Sequence, residues 1–551
     1  MFGNLVTGRR GTALAMLVIL VISAAIGILG DARISSGSDT GGKMATVRIM
    51  AETGTASADV GYWAEDHDPT GELHQLLKTQ RTDEGWVQVT SLPMILTAVP
   101  LWSIGGASAL LVLTLPSAAI AALAARRLAR QLGASSGQAA FWLVGLGSPV
   151  LFYSADFWEH GPSVAIALWV VSLVLGMADG DGGRRGLITA IVTGALAALC
   201  VTLRSEVALS FGFIALTLVA TKVERSRLTS RLPHFALAAA SFAFMSTVWL
   251  RFESPKLGTV SRGPRTSSQL GQAGLDVGQR MKDAALTSIG LWPAQDLGSF
   301  LLGAIVVGLL AFGVRMAVNG RALPAAALAL AVLLVLLRAI DLGFIPGALL
   351  AAPAAIAAIG VSTVRQKALA IGVVLATAAT WALSWSGDMQ SQWGGRYLLV
   401  PAAVLVVLGA VTLERIGWRA PISIAIVGLT AFVSVYGATW HIVRSRSVGV
   451  AIDQVEDVPG DVILVSTGID NGRTAGAWYG EHRWFTAIGT AELERIMAIA
   501  GDIQAPRIDV VYPEPIDGER PIDGATETGR RSIAVLDGVE FTVVSYQPVS
   551  G

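Results

Sequence analysis

The sequence predicts an all-α membrane domain that crosses a bilayer many times, followed by a small α/β domain. Hydrophobic residues make up 53% of the 551 residues and charged residues only 15%, and the mean hydropathy is +0.60. A typical soluble protein carries about 25% charged residues. Apolar runs of about 20 residues, each long enough to cross a hydrocarbon core of about 30 Å, recur along most of the chain. These observations exclude a soluble enzyme.

About thirteen apolar segments are predicted to be transmembrane helices. The first, 11–30, follows Arg9 and Arg10 and is longer than the apolar core of a signal peptide, which has about 7–15 residues, so we expect an uncleaved anchor. The others lie near 97–125, 136–154, 161–178, 186–203, 206–221, 234–250, 297–316, 322–339, 345–362, 367–386, 397–413 and 420–440. Together they define a membrane domain over 1–444.

The basic residues between these segments predict the orientation of the chain. Lys and Arg concentrate in cytoplasmic connections, and here they occupy alternate connections, on the same side as Arg9 and Arg10. They are Arg126, Arg127, Arg130, Arg184, Arg185, Lys222, Arg225, Arg227, Arg231, Arg315, Arg321, Arg365, Lys367, Arg415 and Arg419. We therefore expect a multi-pass protein of the cell (inner or plasma) membrane, with a cytoplasmic N-terminus and an exterior C-terminal region.

The long connections, 31–91 and 251–296, and the tail 445–551 then lie outside, so function is expected at the outer face. The tail contains no Lys and alternates short β-type runs with one helical run. The predicted strands are Asp461–Ser466, Arg507–Tyr512 and Phe541–Tyr546, and the predicted helix is Ala491–Ala500. The tail is therefore predicted to be a small exterior α/β domain.

The first outer loop begins with Ile34-Ser-Ser-Gly-Ser-Asp39-Thr-Gly-Gly-Lys43. This run places a carboxylate and a lysine among small residues at the membrane surface, where a substrate can approach closely. Asp39 is suited to act as a general base on an acceptor hydroxyl, with Lys43 as a substrate-binding residue. The alternative is that Asp39 caps a loop helix beginning near Thr40, a common role for Asp.

The same loop carries the acidic turn Tyr62-Trp-Ala-Glu65-Asp66-His67-Asp68-Pro69. Clustered carboxylates are ligands for divalent cations, so Asp66 and Asp68 are candidates for binding a substrate or a Mg²⁺ or Mn²⁺ ion. The alternative is a solvated acidic turn that ends at Pro69. No cofactor is certain from this pattern.

Two further candidate groups lie where spans meet the outer face. Glu159 and His160 belong to the tight turn Phe152–Pro162, and Arg204 and Glu206 lie between two spans with almost no loop. Ionisable groups near a membrane are costly unless they are paired or functional. Arg204 and Glu206 form either an internal ion pair or a phosphate site, since a guanidinium suits phosphate.

The run Gln392-Trp-Gly-Gly-Arg396-Tyr397 opens the twelfth span. Its two glycines let the backbone approach a ligand, and an Arg beside a helix N-terminus makes a good anion site. The alternative is an interfacial Arg that reaches to the headgroups. The outer loop 251–296 is also basic, which favours an anionic partner such as a lipid phosphate. Its basic residues are Lys256, Arg262, Arg265, Arg280 and Lys282.

Taken in order, these motifs resemble a bacterial branch of the GT-C superfamily, membrane glycosyltransferases that use polyprenyl-phosphate sugars at the outer face. The resemblance covers roughly residues 1–415 and leaves out the tail. It implies that Asp39 is the catalytic base and that Arg204 and Arg396 bind the lipid phosphate. It also implies a polyprenyl-phosphate sugar donor and membrane lipid as partners, an outer-face glycan, glycolipid or protein acceptor, and no nucleic acid.

The sequence thus predicts transfer of a sugar from a polyprenyl-phosphate donor to an outer-face acceptor. Two alternatives stay open: a lipid or glycan flippase, and an inactive glycosyltransferase-like scaffold of the cell envelope. No Walker A, His-Glu-x-x-His, paired Cys-x-x-Cys or Gly-x-Ser-x-Gly motif is present. This weighs against an ATP-driven pump, a zinc protease and a serine hydrolase.

Overall fold

The structure of the chain is a computed structural model that describes the backbone of residues 9–34, 38–76, 79–88, 91–180, 184–258, 261, 277–292, 297–340, 345–383, 393–467, 479–513, 520–534 and 540–549. The α-helices are α1 Arg9–Leu29, α2 Ser38–Thr53, α3 Leu92–Leu110, α4 Ser117–Gln131, α5 Gln138–Gly145, α6 Pro149–Ser154, α7 His160–Asp179, α8 Arg184–Leu203, α9 Val207–Ala220, α10 Lys222–Ser230, α11 Leu232–Leu257, α12 Val277–Ile289, α13 Leu297–Val318, α14 Ala325–Arg338, α15 Ala348–Ala351, α16 Val364–Leu383, α17 Leu399–Ile416, α18 Pro421–Glu456 and α19 Thr490–Asp502. The strands are β1 Thr79–Thr82, β2 Gly85–Gln88, β3 Leu291–Trp292, β4 Ile345–Pro346, β5 Ile463–Thr467, β6 Arg483–Ala487, β7 Ile508–Tyr512, β8 Ala525–Ala534 and β9 Glu540–Pro548.

The predicted fold class, a polytopic helical membrane protein with a small C-terminal sheet domain, is confirmed. Among the described residues, nine helices are long and apolar enough to cross a membrane, or ten if α9 and the helix bent against it form one span. Nine of the predicted segments coincide with these helices. The other four are shorter or broken helices: 136–154, 206–221, 322–339 and 345–362.

The break in segment 136–154 has a local cause. Pro149 lacks a backbone N–H and therefore begins a new helix, α6, rather than continuing α5. The Ser148 side chain caps α6 by accepting a hydrogen bond from the Val150 N–H at 3.3 Å. The apolar run is thus divided into helices of 8 and 6 residues.

The chain divides into two compact units, each built from discontinuous segments. The first, here called the bundle unit, comprises Met1–Ala25, Leu113–Leu250 and Thr266–Thr439. The second, here called the loop–tail unit, comprises Ile26–Val112, Arg251–Arg265 and Trp440–Gly551. The domain boundary predicted between 444 and 445 falls inside α18.

An ion network closes one end of the bundle unit. Arg365, at the start of α16, contacts Asp179 Oδ2 at 2.5 Å and Glu224 Oε2 at 2.8 Å. Arg227 contacts the same two carboxylates at 3.3 Å each. Glu224 and Arg365 are both buried. Each charge therefore needs the other to compensate for its loss of hydration. The network joins three connections for which the basic residues predict one membrane side.

The helix α7 fixes how far this network lies from the opposite end of the bundle. It runs for 20 residues from His160 to Asp179, which corresponds to about 30 Å at 1.5 Å per residue. Asp179 belongs to the ion network, whereas His160 begins the helix at the other end. Residues predicted at the outer face and residues predicted at the inner face therefore lie at opposite ends of α7.

The loop–tail unit contains a five-stranded mixed sheet in the order β6-β5-β7-β9-β8. Strands β6, β5 and β7 are parallel, and β9 pairs antiparallel with both β7 and β8. The three strands and the helix predicted in the tail correspond to β5, β7, β9 and α19. The predicted small α/β domain is therefore present.

The first outer loop shares one hydrophobic core with this sheet. Leu73 and Trp86 from the loop are buried in the same cluster as Phe485 and Ile496 from the tail. Backbone pairing extends the contact, because the Thr486 N–H donates to the Leu73 carbonyl at 3.0 Å. The sequence predicts that the loop and the tail belong to separate domains, whereas their apolar residues share one core.

His74 lies at the centre of this shared core as a neutral imidazole. Its ring packs 4.7 Å from the Tyr62 ring and 5.8 Å from the Trp86 ring. Its Nδ1 accepts from the Leu76 N–H at 3.0 Å, so Nε2 carries the proton and donates to the Gly61 carbonyl at 3.1 Å. Burial lowers the pKa of His74 to about 4, because the charged form is poorly solvated there.

We expect Arg365→Met to lower the free energy of unfolding of the bundle unit by about 3 kcal/mol, because it leaves the buried Glu224 carboxylate with weaker compensation. Thermal unfolding of the purified protein in detergent measures the change. The control is Lys367→Met, which removes the same charge from an exposed position two residues further on. Equal destabilisation by both variants would contradict a stabilising role for the network.

We also expect the loop–tail unit to lose stability as the pH falls from about 6.5 to about 4. In that window the unfolded chain protonates His74 and the folded chain does not, so acid favours unfolding, by about 3 kcal/mol in total. Hydrogen exchange of β5 and β7 as a function of pH measures this slope. His74→Gln should flatten it, and replacement of the exposed His67 by Gln should not. If the stability of His74→Gln still fell with pH as steeply as that of the wild type, His74 would not be the group responsible.

Candidate active site

Three separate turns of the bundle unit bring six predicted site residues together. Glu159 and His160 begin α7, and Arg204 and Glu206 occupy the short break between α8 and α9. Arg396 and Tyr397 form the 3-10 turn that leads into α17. The last four of these residues and His160 line one cavity, and Glu159 contacts Arg204. The nearest two of these segments are separated by 44 positions in sequence, from His160 to Arg204, so only folding unites them.

The Arg396 turn depends on the two glycines that precede it. Gly394 and Gly395 have φ values of +67° and +64°, in the left-handed region that L residues rarely adopt. A Cβ atom on Gly395 would lie 2.6 Å from Thr287 Cγ2. The turn is also held from the other side, because the Tyr153 hydroxyl donates to the Trp393 carbonyl at 2.9 Å. The backbone that carries Arg396 is therefore tightly enclosed.

Arg204 is held by two carboxylates. Its Nη1 donates to Glu159 Oε1 at 3.2 Å and its Nε donates to Glu206 Oε1 at 2.7 Å. Only 12% of the Arg204 side chain is exposed. The sequence left open whether Arg204 pairs with Glu206 or faces a ligand. The structure shows the pair, and Arg204 also lines the cavity.

Tyr397 joins the two arginines. The Arg204 Cζ lies 5.1 Å from the centroid of the Tyr397 ring, and the Arg396 Cζ lies 4.7 Å from it. The Arg396 Nη2 also donates to the Tyr397 hydroxyl at 2.9 Å. Attraction between a cation and the ring quadrupole offsets part of the repulsion between the guanidinium groups. Trp158 adds a second aromatic ring, 5.9 Å from the Arg396 Cζ.

The cavity that these residues line has a polar part and an apolar part. The space between these residues is partly open to solvent. The polar lining comprises His160, Ser163, Arg204, Glu206, Ser210, Arg396 and Tyr397. The apolar lining comprises Val164, Val207, Leu399, Val400 and Pro401. The cavity therefore suits a small polar group attached to an apolar chain.

The predicted residues of the first outer loop lie in the loop–tail unit. The helix α2 begins at Ser38, two residues before the expected start near Thr40. Asp39 belongs to its first turn. The side chain of Asp39 lies outside the described residues. Lys43 lies on the same helix and is 2% exposed. Gly42 contacts the Gln88 side chain so closely that a Cβ there would lie 2.2 Å from its Cδ. The start of α2 is therefore closely packed.

Asp68 is fully buried, and its hydrogen bonds lie within the loop–tail unit. Its Oδ2 accepts from the Tyr62 hydroxyl and the Leu73 N–H, both at 2.9 Å. Its Oδ1 accepts from the Thr70 hydroxyl at 3.2 Å and from Arg495. A carboxylate offers about four acceptor positions, and all are occupied. Asp68 therefore ties the loop to the tail helix α19.

The acidic turn does not fit a divalent cation. Asp66 and His67 are exposed, whereas Asp68 is buried and saturated, so the three side chains do not converge. Over the described part of the chain, no group of three or more His, Cys, Asp or Glu side chains is arranged to hold a metal ion. Binding of a divalent cation stays a prediction, and this turn does not supply the ligands for it.

The basic outer loop 251–296 is described only in part. Arg262 and Arg265 lie outside the described residues. Lys256 Nζ donates to the Ala56 carbonyl at 3.3 Å, and Arg280 donates to the Ala382 carbonyl. These two cations therefore contact backbone carbonyls.

Two polar residues near the site, Ser210 and Asp283, are not predicted from the sequence. Ser210 lies one helical turn after Glu206 on α9 and lines the cavity, although it is 2% exposed. Asp283 is a buried carboxylate on α12, four residues before Thr287, which contacts the Arg396 turn. Spacing by four residues from an already suspected Glu206 could have indicated Ser210. Nothing in the sequence around Asp283 indicates burial.

The fold is that of a polytopic helical membrane protein with a small C-terminal sheet domain. The solved structure of ArnT from Cupriavidus metallidurans bound to undecaprenyl phosphate is similar to it, with a TM-score of 0.52, 12% identity and coverage of 98% of each chain. The archaeal oligosaccharyltransferase AglB from Archaeoglobus fulgidus, in complex with an inhibitory peptide and a dolichol-phosphate, gives a TM-score of 0.45, 13% identity and coverage of 90% of this chain and 69% of that one.

No protein-family model and no curated protein sequence matches the chain. At 12% identity, the similarity to ArnT establishes the fold. The fold that the motif order implied is thereby confirmed.

We expect Gly395→Ala to lower the free energy of unfolding by about 2–5 kcal/mol. The substitution adds about 1–2 kcal/mol of left-handed strain and about 1–3 kcal/mol of overpacking against Thr287. The control is Gly417→Ala, which has φ +100° but nothing within 4 Å of the added Cβ, so it should cost only the strain. Thermal unfolding measures both variants, and equal losses would show that the turn is not tightly packed.

Proposed function

We propose that the protein is a membrane glycosyltransferase that moves a sugar from a polyprenyl-phosphate donor to an acceptor at the outer face. The observation that carries this proposal is the convergence of Arg204, Arg396 and Tyr397 on one small cavity. Two arginines fixed against an aromatic ring form a built anion site, and the apolar wall beside it suits the first isoprene units of a lipid. A lipid-linked phosphate combines both features.

Arg396 is the proposed phosphate ligand, with Arg204 as the second cation. A guanidinium binds phosphate oxygens through two parallel hydrogen bonds. Burial of both groups strengthens their interaction with the charge that develops on the phosphate as the sugar departs. Glu159 and Glu206 orient Arg204 and offset the cost of burying it. The cluster as a whole stabilises the leaving group.

Asp39 is the proposed general base. It removes the proton from the acceptor hydroxyl, whose oxygen then forms a bond to the anomeric carbon. The bond between that carbon and the phosphate oxygen breaks, and the electron pair leaves with polyprenyl phosphate. This role rests on the position of Asp39 just after the first span and on the resemblance of its motif.

Three further features support the proposal. The structure of ArnT, which shares the fold, contains undecaprenyl phosphate. The distribution of basic residues favours a cytoplasmic N-terminus in the cell membrane and an exterior tail, so the cavity faces outward. Chemistry at that face requires a lipid-linked donor, because nucleotide sugars are cytoplasmic. The acceptor is an outer-face glycan, glycolipid or protein.

We expect membranes that contain the wild-type protein to transfer radiolabel from a pool of polyprenyl-phosphate sugars to endogenous acceptors. Arg396→Gln should lower the rate by about 10²–10³, the effect of removing one stabilising donor. Asp39→Asn should lower it by about 10²–10⁴, the contribution of a general base. Arg321→Gln, at an exposed position in a predicted cytoplasmic connection, is the charge-matched control and should transfer at the wild-type rate.

The outcomes separate the candidate functions. Transfer that survives Asp39→Asn at equal protein level would remove Asp39 as the base. Transfer that survives Arg396→Gln would remove the phosphate assignment. Absence of transfer by the wild type, with donor and acceptor present, would favour the flippase or the scaffold. Translocation of labelled lipid in proteoliposomes then distinguishes those two.

A further inference from the structure

One wall of the cavity carries polar groups that an anion site does not need. Glu206 precedes α9 and Ser210 lies in its first turn. Residues four apart in a helix lie on the same face, and both side chains line the cavity. Val207 lies between them on the same wall. The start of α9 therefore presents a carboxylate and a hydroxyl, one above the other, to the space beside Arg204.

These groups keep hydrogen-bonding capacity that no described residue uses. The Glu206 carboxylate bonds Arg204 through Oε1, which leaves Oε2 without a donor in the described chain. Arg204 uses Nε and Nη1, so its Nη2 has no acceptor there. The Ser210 hydroxyl has no partner among the described residues although the residue is 98% buried. These three groups are therefore available to hydrogen-bond a ligand that enters the cavity.

The chemistry of these groups favours a polyol rather than a second anion. A carboxylate oxygen repels phosphate but accepts hydrogen bonds from hydroxyl groups. A serine hydroxyl and an arginine N–H complement it by binding hydroxyl oxygens. One donor, one acceptor and one group that does both, set around an apolar Val207 side chain, match the alternating hydroxyl and C–H surface of a sugar ring.

We propose that Glu206 Oε2, Ser210 Oγ and Arg204 Nη2 bind the sugar hydroxyls of the lipid-linked donor, while Arg396 holds the phosphate. This inference rests on the proposed function and deepens it, because it divides the cavity into a phosphate part and a sugar part.

The test compares two ligands, polyprenyl phosphate and the same lipid phosphate carrying a hexose or pentose, on the purified full-length protein. We expect Ser210→Ala to weaken binding of the sugar-bearing lipid by about 3–10-fold, the effect of one hydrogen bond, and to leave binding of polyprenyl phosphate unchanged. The control is Ser434→Ala, because the Ser434 hydroxyl bonds the Thr430 carbonyl of its own helix at 2.8 Å and does not line the cavity.

Glu206→Gln is a second variant, for which we expect the affinities for the two lipids to change in different directions. The amide can still accept from Arg204 Nε, but it carries no negative charge. Binding of the sugar-bearing lipid should weaken, whereas binding of polyprenyl phosphate should stay equal or become tighter because a repulsive charge is gone. A residue that serves only to hold Arg204 in place would weaken both ligands together.

Two results would overturn the inference. Equal loss of both ligands in Ser210→Ala and Glu206→Gln would show that these residues only support the fold of the site. Unchanged binding of every sugar-bearing lipid in both variants would show that the sugar lies elsewhere. Failure of the wild type to bind either lipid would instead remove the proposed function, and this inference with it.

Discussion

The pairing of buried Arg204 with Glu159 and Glu206 is the interaction on which the candidate site depends. A guanidinium removed from water is costly unless its charge is compensated and its donors are paired. The two carboxylates supply that compensation from the turn before α7 and the break before α9. Once Arg204 is fixed, Tyr397 packs against it and brings Arg396 close. The two ion pairs of Arg204 thus help to assemble residues from three distant parts of the sequence.

The same constraint organises the opposite end of the bundle unit. There Arg365 pairs with Asp179 and Glu224, and the network joins α7, α10 and α16. Charge is concentrated at both ends of α7, with apolar helices between. This arrangement suits a membrane protein, in which charge at mid-depth is expensive. The cavity end is the end at which we propose that the lipid phosphate binds.

In the loop–tail unit, the main stabilising contribution comes from burial of apolar side chains rather than from ion pairs. Trp86 from the loop and Phe485 from the tail share one hydrophobic core. Asp68 adds a polar link by bonding Tyr62 in the loop and Arg495 in the tail. Asp39 and Lys43 are thereby carried on a packed helix, which gives the proposed base a fixed backbone.

The sequence by itself determined the membrane class, nine of the spanning helices and three of the five strands of the tail sheet, because hydropathy and periodicity are local properties. It also identified Glu159, His160, Arg204, Glu206, Arg396 and Tyr397, because ionisable groups at span ends stand out from an apolar background. Only the tertiary structure decided that these six converge, that Asp68 is saturated and that Ser210 faces the cavity. Convergence depends on helix packing and side-chain direction, which sequence spacing does not encode.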